Sequence, residues 1–218
     1  MDDSKEEEDK KLGIDLKIIL IGNAFTGKTS IIEKYVKNMF YEKLRSTIAP
    51  NFTYKLIKKN EVIFRLQFWD IPGQDRTPSL TSLFCRDSQG IIFCCEVNNQ
   101  KSLNDILIWK KSLESFQDIR EVPIILLENK CDLLGDNEEK YNENINETIK
   151  FAENNGFNKV FRTSAKTGYN IENAMSFLID EIYKTIKEEE PQIENSLISE
   201  TSQKLNENDK NKIAKKCC

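Results

Sequence analysis

Residues 16–30 read Leu16-Lys17-Ile18-Ile19-Leu20-Ile21-Gly22-Asn23-Ala24-Phe25-Thr26-Gly27-Lys28-Thr29-Ser30. The run from Leu16 to Ile21 is short, apolar and closed by a glycine, which reads as a buried strand. Beyond the turn, Ile31, Ile32, Tyr35 and Val36 recur at helical spacing as far as about Lys37. Between strand and helix the chain matches the pattern Gly-x4-Gly-Lys-Ser/Thr. Gly22 and Gly27 permit a tight loop in which the N–H groups from Asn23, Ala24, Phe25 and Thr26 through Ser30 turn inward and cradle phosphate oxygens. Lys28 would neutralise β- and γ-phosphates, and the Thr29 hydroxyl would bind magnesium. The following helix adds the positive end of its dipole. The competing reading is a chance glycine–lysine turn, which needs the flanking strand and amphipathic helix to be coincidental. By itself the loop does not separate GTP from ATP, or a hydrolase from a kinase.

Outward from this loop the chain alternates strand and helix. Asn51 to Lys58 and Glu61 to Trp69 alternate apolar and polar residues around Lys59-Asn60, which predicts a hairpin and one antiparallel edge. Gly90 to Val97 reads as a strand. Leu103, Ile106, Trp109 and Leu113 predict a helix with Ser102 as its cap. Pro123 to Glu128 is a strand, then a helix ends at Gly156, then Val160 to Ser164 is the last strand. A final helix is expected from Ile171 to Lys187, capped by Asn170, with Ile171, Ala174, Leu178 and Ile182 as its buried stripe. The pattern implies an α/β domain with a mostly parallel six-stranded sheet, one antiparallel edge strand and helices on both faces. Residues 1–14 read as a disordered acidic leader, 15–187 as the domain, and 188–218 as a tail.

Composition narrows the chemistry. The 218 residues carry net charge −4, which excludes a uniformly basic nucleic-acid binder. Histidine is absent, so Ser-His-Asp triads, Cys-His dyads and His-ligated metals are excluded. The six cysteines, Cys85, Cys94, Cys95, Cys131, Cys217 and Cys218, include no CxxC pair. Met1 to Lys11 carries six acids and three lysines, the reverse of a signal peptide, and no apolar run is long enough to span a bilayer. A reducing, intracellular compartment is the expectation.

In such sheets ligands bind at the carboxyl ends of the strands. After the third strand comes Trp69-Asp70-Ile71-Pro72-Gly73-Gln74. Asp70 suits a position just behind the ligands of a magnesium ion, Gly73 can set its N–H against a γ-phosphate, and Gln74 can orient an attacking water. A plain polar turn is the alternative. After the fifth strand comes Asn129-Lys130-Cys131-Asp132. A carboxylate there can accept from guanine N1–H and its exocyclic amine, a pair adenine lacks. Asn129 can bond nearby, and the Lys130 stem can cover a ring face. After the sixth comes Ser164-Ala165-Lys166, whose backbone N–H groups could meet the guanine O6. Each of these two is weak alone; in order, each at its own strand end, they reinforce one another.

These four motifs, in this order, resemble the P-loop G domain of Ras-superfamily small GTPases, and within them the Rab family. The resemblance covers Asp15 to Lys187 and resumes at Cys217-Cys218. It implies GTP and GDP with Mg²⁺, slow GTP hydrolysis and a role as a switch in vesicle trafficking. Phe40 takes the place of the family's aromatic edge against guanine, and Thr47 that of the switch I threonine that gives magnesium a second hydroxyl. Phe52, Trp69 and Phe84 match the rings that present the effector surface, although rings at these positions can also be core. The implied partners are an exchange factor, a GTPase-activating protein, effectors, a GDP-dissociation inhibitor and a prenylation escort, with no nucleic acid polymer. Trp109-Lys110, Leu126 to Leu133 and Phe161 to Lys166 are similar to the Rab branch associated with lysosome-related organelles and phagosomes. The implied location is the cytoplasmic face of an intracellular membrane, in exchange with cytosol.

Departures from the family pattern fall in the switches. Thr47-Ile48-Ala49-Pro50-Asn51-Phe52 carries a proline that removes an N–H and restricts Ala49. Pro72 precedes the switch II glycine, and Asp75-Arg76-Thr77-Pro78 follows Gln74. Phe25 is bulky for a phosphate loop. The prolines favour a rival reading, a module that holds nucleotide without hydrolysing it; intact Gln74 and Thr47 oppose that. A P-loop kinase or ATPase is a third reading, opposed by Asn129 to Asp132. The terminal Cys217-Cys218 resembles the Rab signal for two geranylgeranyl groups, and Lys210, Lys212, Lys215 and Lys216 stand just before it. A frayed tail with incidental thiols is the alternative to this tether.

Overall fold

The computed structural model describes residues 13–42, 46–59, 62–73, 84–116, 118–135 and 138–187. In chain order these form β1 (Gly13–Ile21), α1 (Lys28–Lys37), β2 (Asn51–Lys59), β3 (Val62–Asp70), β4 (Gly90–Glu96), α2 (Gln100–Glu114), β5 (Ile124–Asn129), a 3-10 turn (Cys131–Leu134), α3 (Glu138–Asn154) and β6 (Lys159–Arg162). A last helix, α4, covers 171–187. The sheet has six strands in the order β2-β3-β1-β4-β5-β6. β2 runs antiparallel to β3 at one edge, and every other pair is parallel. The expected sheet therefore forms, antiparallel edge included.

The two-residue period of the strands splits the core into two layers. Ile19 and Ile21 of β1, Ile91, Phe93 and Cys95 of β4, and Ile124 and Leu126 of β5 face Leu103, Ile106 and Leu113 of α2 and Ala152 of α3. On the opposite face Tyr35 of α1 meets Phe68 of β3 edge-on at 5.6 Å, and Phe161 of β6 meets Phe177 of α4 at 5.6 Å. By its contacts the chain divides into Met1–Ile179 and Asp180–Cys218. Of the second unit, residues 180–187 are described and helical. Among the described residues no helix is long and apolar enough to cross a membrane.

Some boundaries differ from the sequence reading. Asn99, not Ser102, caps α2: its Oδ1 accepts the Ser102 N–H at 3.1 Å. Ser102 lies inside the first turn, where its hydroxyl donates to Asn99 O at 2.8 Å and accepts the Glu96 N–H at 3.0 Å. β6 stops at Arg162 because the Ser164 N–H turns away to Tyr169 O at 3.2 Å. Gly156 lies past the end of α3 with φ 72°, a left-handed stop. Asn170 precedes α4, but its Nδ2 donates to Arg162 O at 3.0 Å and its Oδ1 accepts from Asn173 Nδ2 at 3.0 Å. The acidic leader through residue 12, Asn60, Gln74 through Pro78, and the tail with Cys217 and Cys218 lie outside the described residues.

Candidate functional site

β1 lies between β3 and β4, so the chain changes direction across the sheet beside the phosphate loop, the usual place for a ligand crevice. A cavity of about 550 Å³ opens there. Fourteen residues singled out from sequence line it: Ala24, Phe25, Gly27, Lys28, Thr29, Ser30, Phe40, Thr47, Gly73, Asn129, Lys130, Asp132, Ala165 and Lys166. Gly22, Asn23, Thr26, Asp70 and Ser164 do not line the cavity. Tyr41, Glu42, Ser46 and Leu133 line it without having been foreseen, although each neighbours a candidate in sequence or in the same loop.

Close approach explains the loop's glycines. A Cβ on Gly22 (φ 147°) would lie 2.2 Å from Cys94 O, and one on Gly27 (φ 96°) 2.3 Å from Asn129 Nδ2. Lys28 is buried, and its Nζ donates to Gly22 O at 2.8 Å and Asn23 O at 3.0 Å. Burial lowers the ammonium pKa, while Cys94 and Asp70 act to raise it. Asn23 serves the loop from behind: its Nδ2 donates to Asp105 Oδ2 at 2.7 Å, and its Oδ1 accepts Trp109 Nε1–H at 2.9 Å, both from α2. Phe25 holds a left-handed φ of 67° and is 65% exposed.

Three hard oxygens meet beside the loop. Thr29 Oγ1 donates to Asp70 Oδ2 at 2.5 Å, Thr29 and Thr47 hydroxyl oxygens lie 2.9 Å apart, and Thr47 Oγ1 donates to Asp70 Oδ2 at 3.4 Å. Asp70 Oδ1 is buried without a hydrogen-bond partner among the described residues. Burial raises the Asp70 pKa, and the Thr29 hydrogen bond, the Lys28 charge and the Thr47 bond oppose that rise. Two hydroxyls and a buried carboxylate with a spare oxygen fit Mg²⁺, which prefers oxygen ligands.

The far end of the cavity is built from β5 and β6. Asn129 is buried and ties loops together: its Nδ2 donates to Thr26 O at 2.9 Å, and its Oδ1 accepts from the Ala165 N–H at 3.2 Å and Thr163 Oγ1 at 3.3 Å. Ser164 stands behind Asp132, donating to its Oδ1 at 2.5 Å, while the Asp132 side chain lines the cavity. Lys130 takes a left-handed φ of 65°, and its ammonium pairs with Glu96 at 3.0 Å.

The three aromatic candidates form one group. Phe52 and Trp69 are register partners with centroids 5.3 Å apart, and Trp69 lies 5.9 Å from Phe84. Phe52 is exposed, whereas Trp69 and Phe84 pack partly on the core. Pro72 is buried, and the carbonyl of Gly73 accepts the Ala24 N–H at 3.2 Å.

Comparison with known proteins matches the sequence to a family. The family model described as the Ras family matches residues 17–184. Ras-related protein Rab-32A of Dictyostelium discoideum is 38% identical over 175 residues, 77% of this chain and 78% of that protein. Ras-related protein Rab-32 of Homo sapiens is 33% identical, covering 76% of this chain and 74% of that one. Ras-related protein Rab-7L1 of Homo sapiens is 32% identical, over 79% and 85%. The chain therefore belongs to the Ras family, in its Rab branch alongside Rab-32 and Rab-7L1, and is a small GTPase of membrane trafficking that takes GTP and GDP with Mg²⁺.

Proposed function

We propose that the chain is a GTP/GDP switch in vesicle trafficking, held on the cytoplasmic face of an endolysosomal or phagosomal membrane by two geranylgeranyl groups on Cys217 and Cys218. What supports the switch reading above all is that one cavity joins Lys28, Thr29 and Thr47 at one end to Asp132 and Lys166 at the other. The Gly22-to-Ser30 loop binds the phosphates, with Lys28 against the β- and γ-groups. Thr29 and Thr47 hold Mg²⁺ by their hydroxyls, with Asp70 behind them. An Mg²⁺ ion held there would supply positive charge against the charge that develops on the phosphates. Asp132 accepts from guanine N1–H and the exocyclic amine. A backbone N–H of the Ser164-Ala165-Lys166 segment meets the guanine O6. Phe40 edges the base, and the Lys130 stem covers its face.

Gly73 presents its N–H to the γ-phosphate, and Gln74 orients the attacking water. Loss of that phosphate frees the loops around Thr47 and Gly73. Intrinsic turnover in Ras-type enzymes is on the order of 10⁻⁴ s⁻¹, and an activating protein completes the chemistry. An exchange factor reloads the site, effectors read Phe52, Trp69 and Phe84 in the GTP state, and a GDP-dissociation inhibitor and prenylation escort handle the lipidated form. Single-turnover hydrolysis tests this reading. Wild type should turn over slowly and faster with an activator of related Rabs. Q74L should bind GTP near normally yet lose the stimulated rate, and T29N should bind GTP and Mg²⁺ poorly. No turnover over hours, with or without activators, would leave a nucleotide-holding binding module in its place.

A further inference from the structure

We infer that the buried ion pair Glu128–Arg162 is a positioning device for base recognition, fixing the register of the two loops that carry Asp132 and Ser164 to Lys166. The inference rests on the guanine reading given above. Glu128 and Arg162 are 6% and 1% exposed, unusual for charged residues. Arg162 Nε donates to Glu128 Oε2, and Thr148 of α3, also buried, donates to Glu128 Oε1 at 2.9 Å. The two residues are direct register partners on β5 and β6. Theirs is the last rung between β5 and β6: β6 ends at Arg162, and β5 runs only one residue further, to Asn129.

Past this rung the loops are laced together. The Thr163 N–H reaches Glu128 O at 3.0 Å, and the Cys131 N–H reaches Thr163 O at 3.0 Å. Ser164 Oγ then meets Asp132 Oδ1 at 2.5 Å. β6 is only four residues long, so few ladder bonds hold its register. A slip of one residue would reverse every side chain of the strand and carry Ser164 away from Asp132. An apolar pair would fill the same space without resisting that slip. Buried ion pairs seldom stabilise more than apolar replacements, and setting register is their best-attested use. Opposite charges at paired positions favour the alignment that joins them.

Stability and base recognition should therefore separate. Full-length wild type, E128L/R162M and E128Q/R162Q would be compared by thermal midpoint, by the GDP release rate and by the preference for GDP over inosine diphosphate. Inosine diphosphate lacks the exocyclic amine that Asp132 would accept, so the preference reports where Asp132 sits. The Leu/Met variant should melt close to wild type while releasing GDP about tenfold faster, a coupling within the range carried by packed networks. Its preference for GDP should shrink by a similar factor, and the amide pair, which can still hydrogen-bond, should fall between. Wild-type release and preference in a folded double variant would overturn the inference. Failure of both variants to fold would assign the pair to stability alone and overturn it equally. Asp132→Asn serves as the control: a shift toward xanthosine diphosphate supports the guanine reading. Without that shift the guanine reading fails first, and the inference with it.

Discussion

A Cβ on Gly73 would lie 2.1 Å from the Ala24 nitrogen, so switch II begins pressed against the phosphate loop. The residue before it, Pro72, is buried, has a fixed φ and lacks an N–H. To present its N–H to a γ-phosphate, Gly73 needs rotation on its N-terminal side, and proline restricts that side. Pro72→Ala should therefore speed intrinsic hydrolysis or nucleotide exchange a few-fold, since relief of about 1 kcal/mol corresponds to roughly fivefold. Stopped-flow exchange and single-turnover hydrolysis on both proteins check it; equal rates would make Pro72 a tolerated variant and not a brake. At this scale the meeting of Lys28, Thr29 and Asp132 at one cavity was legible, because each follows the carboxyl end of a strand that the sequence marks. The partners of Asn23 were not. Asp105 stands 82 residues away, and no local rule relates the two.

Among the elements, α2 shows how a correct helix can carry a misplaced start. Asn99 and Ser102 are both cap-forming residue types, and three residues separate a cap from the position it serves. The sequence offers two equivalent starts, and the choice is tertiary: the Ser102 hydroxyl is drawn inward by the Glu96 N–H at 3.0 Å, at the end of β4. Asn99→Ala should then cost about 1 kcal/mol. For a chain of this size that is a fall of about 2–4 °C in the thermal midpoint. Asn99→Asp keeps the acceptor and should restore most of the loss. Scanning calorimetry of the three proteins would show it, and an Ala variant as stable as wild type would remove Asn99 from the capping role. Strand ends shifted for a similar reason. β6 was read through Ser164, but Ser164 is turned off the sheet to Tyr169 and Asp132.

For the whole molecule, alternation of strand and helix was enough to read a parallel sheet with helices on both faces, because hydrophobic period is local. The strand order β2-β3-β1-β4-β5-β6 was not legible, because neighbours in a sheet need not be neighbours in the chain. The proposed attachment to a membrane belongs to this scale too, and rests on residues 210–218. Each buried CH₂ contributes about 0.8 kcal/mol, so one prenyl chain holds marginally and two hold stably. Lys210, Lys212, Lys215 and Lys216 add about 1 kcal/mol each near an anionic leaflet, and that part alone is screened by salt. The two contributions predict different behaviour in vesicle co-sedimentation of the prenylated chain. C217S/C218S should stay in the supernatant on any lipid. Cys218→Ser, with one chain left, should pellet with anionic vesicles at low salt and be released as salt rises. Replacing the four lysines by glutamine should leave binding to neutral vesicles unchanged and abolish the preference for anionic ones. If C217S/C218S pellets as wild type does, the lipids are not the anchor, and the tether must be sought in the lysines or in a protein partner.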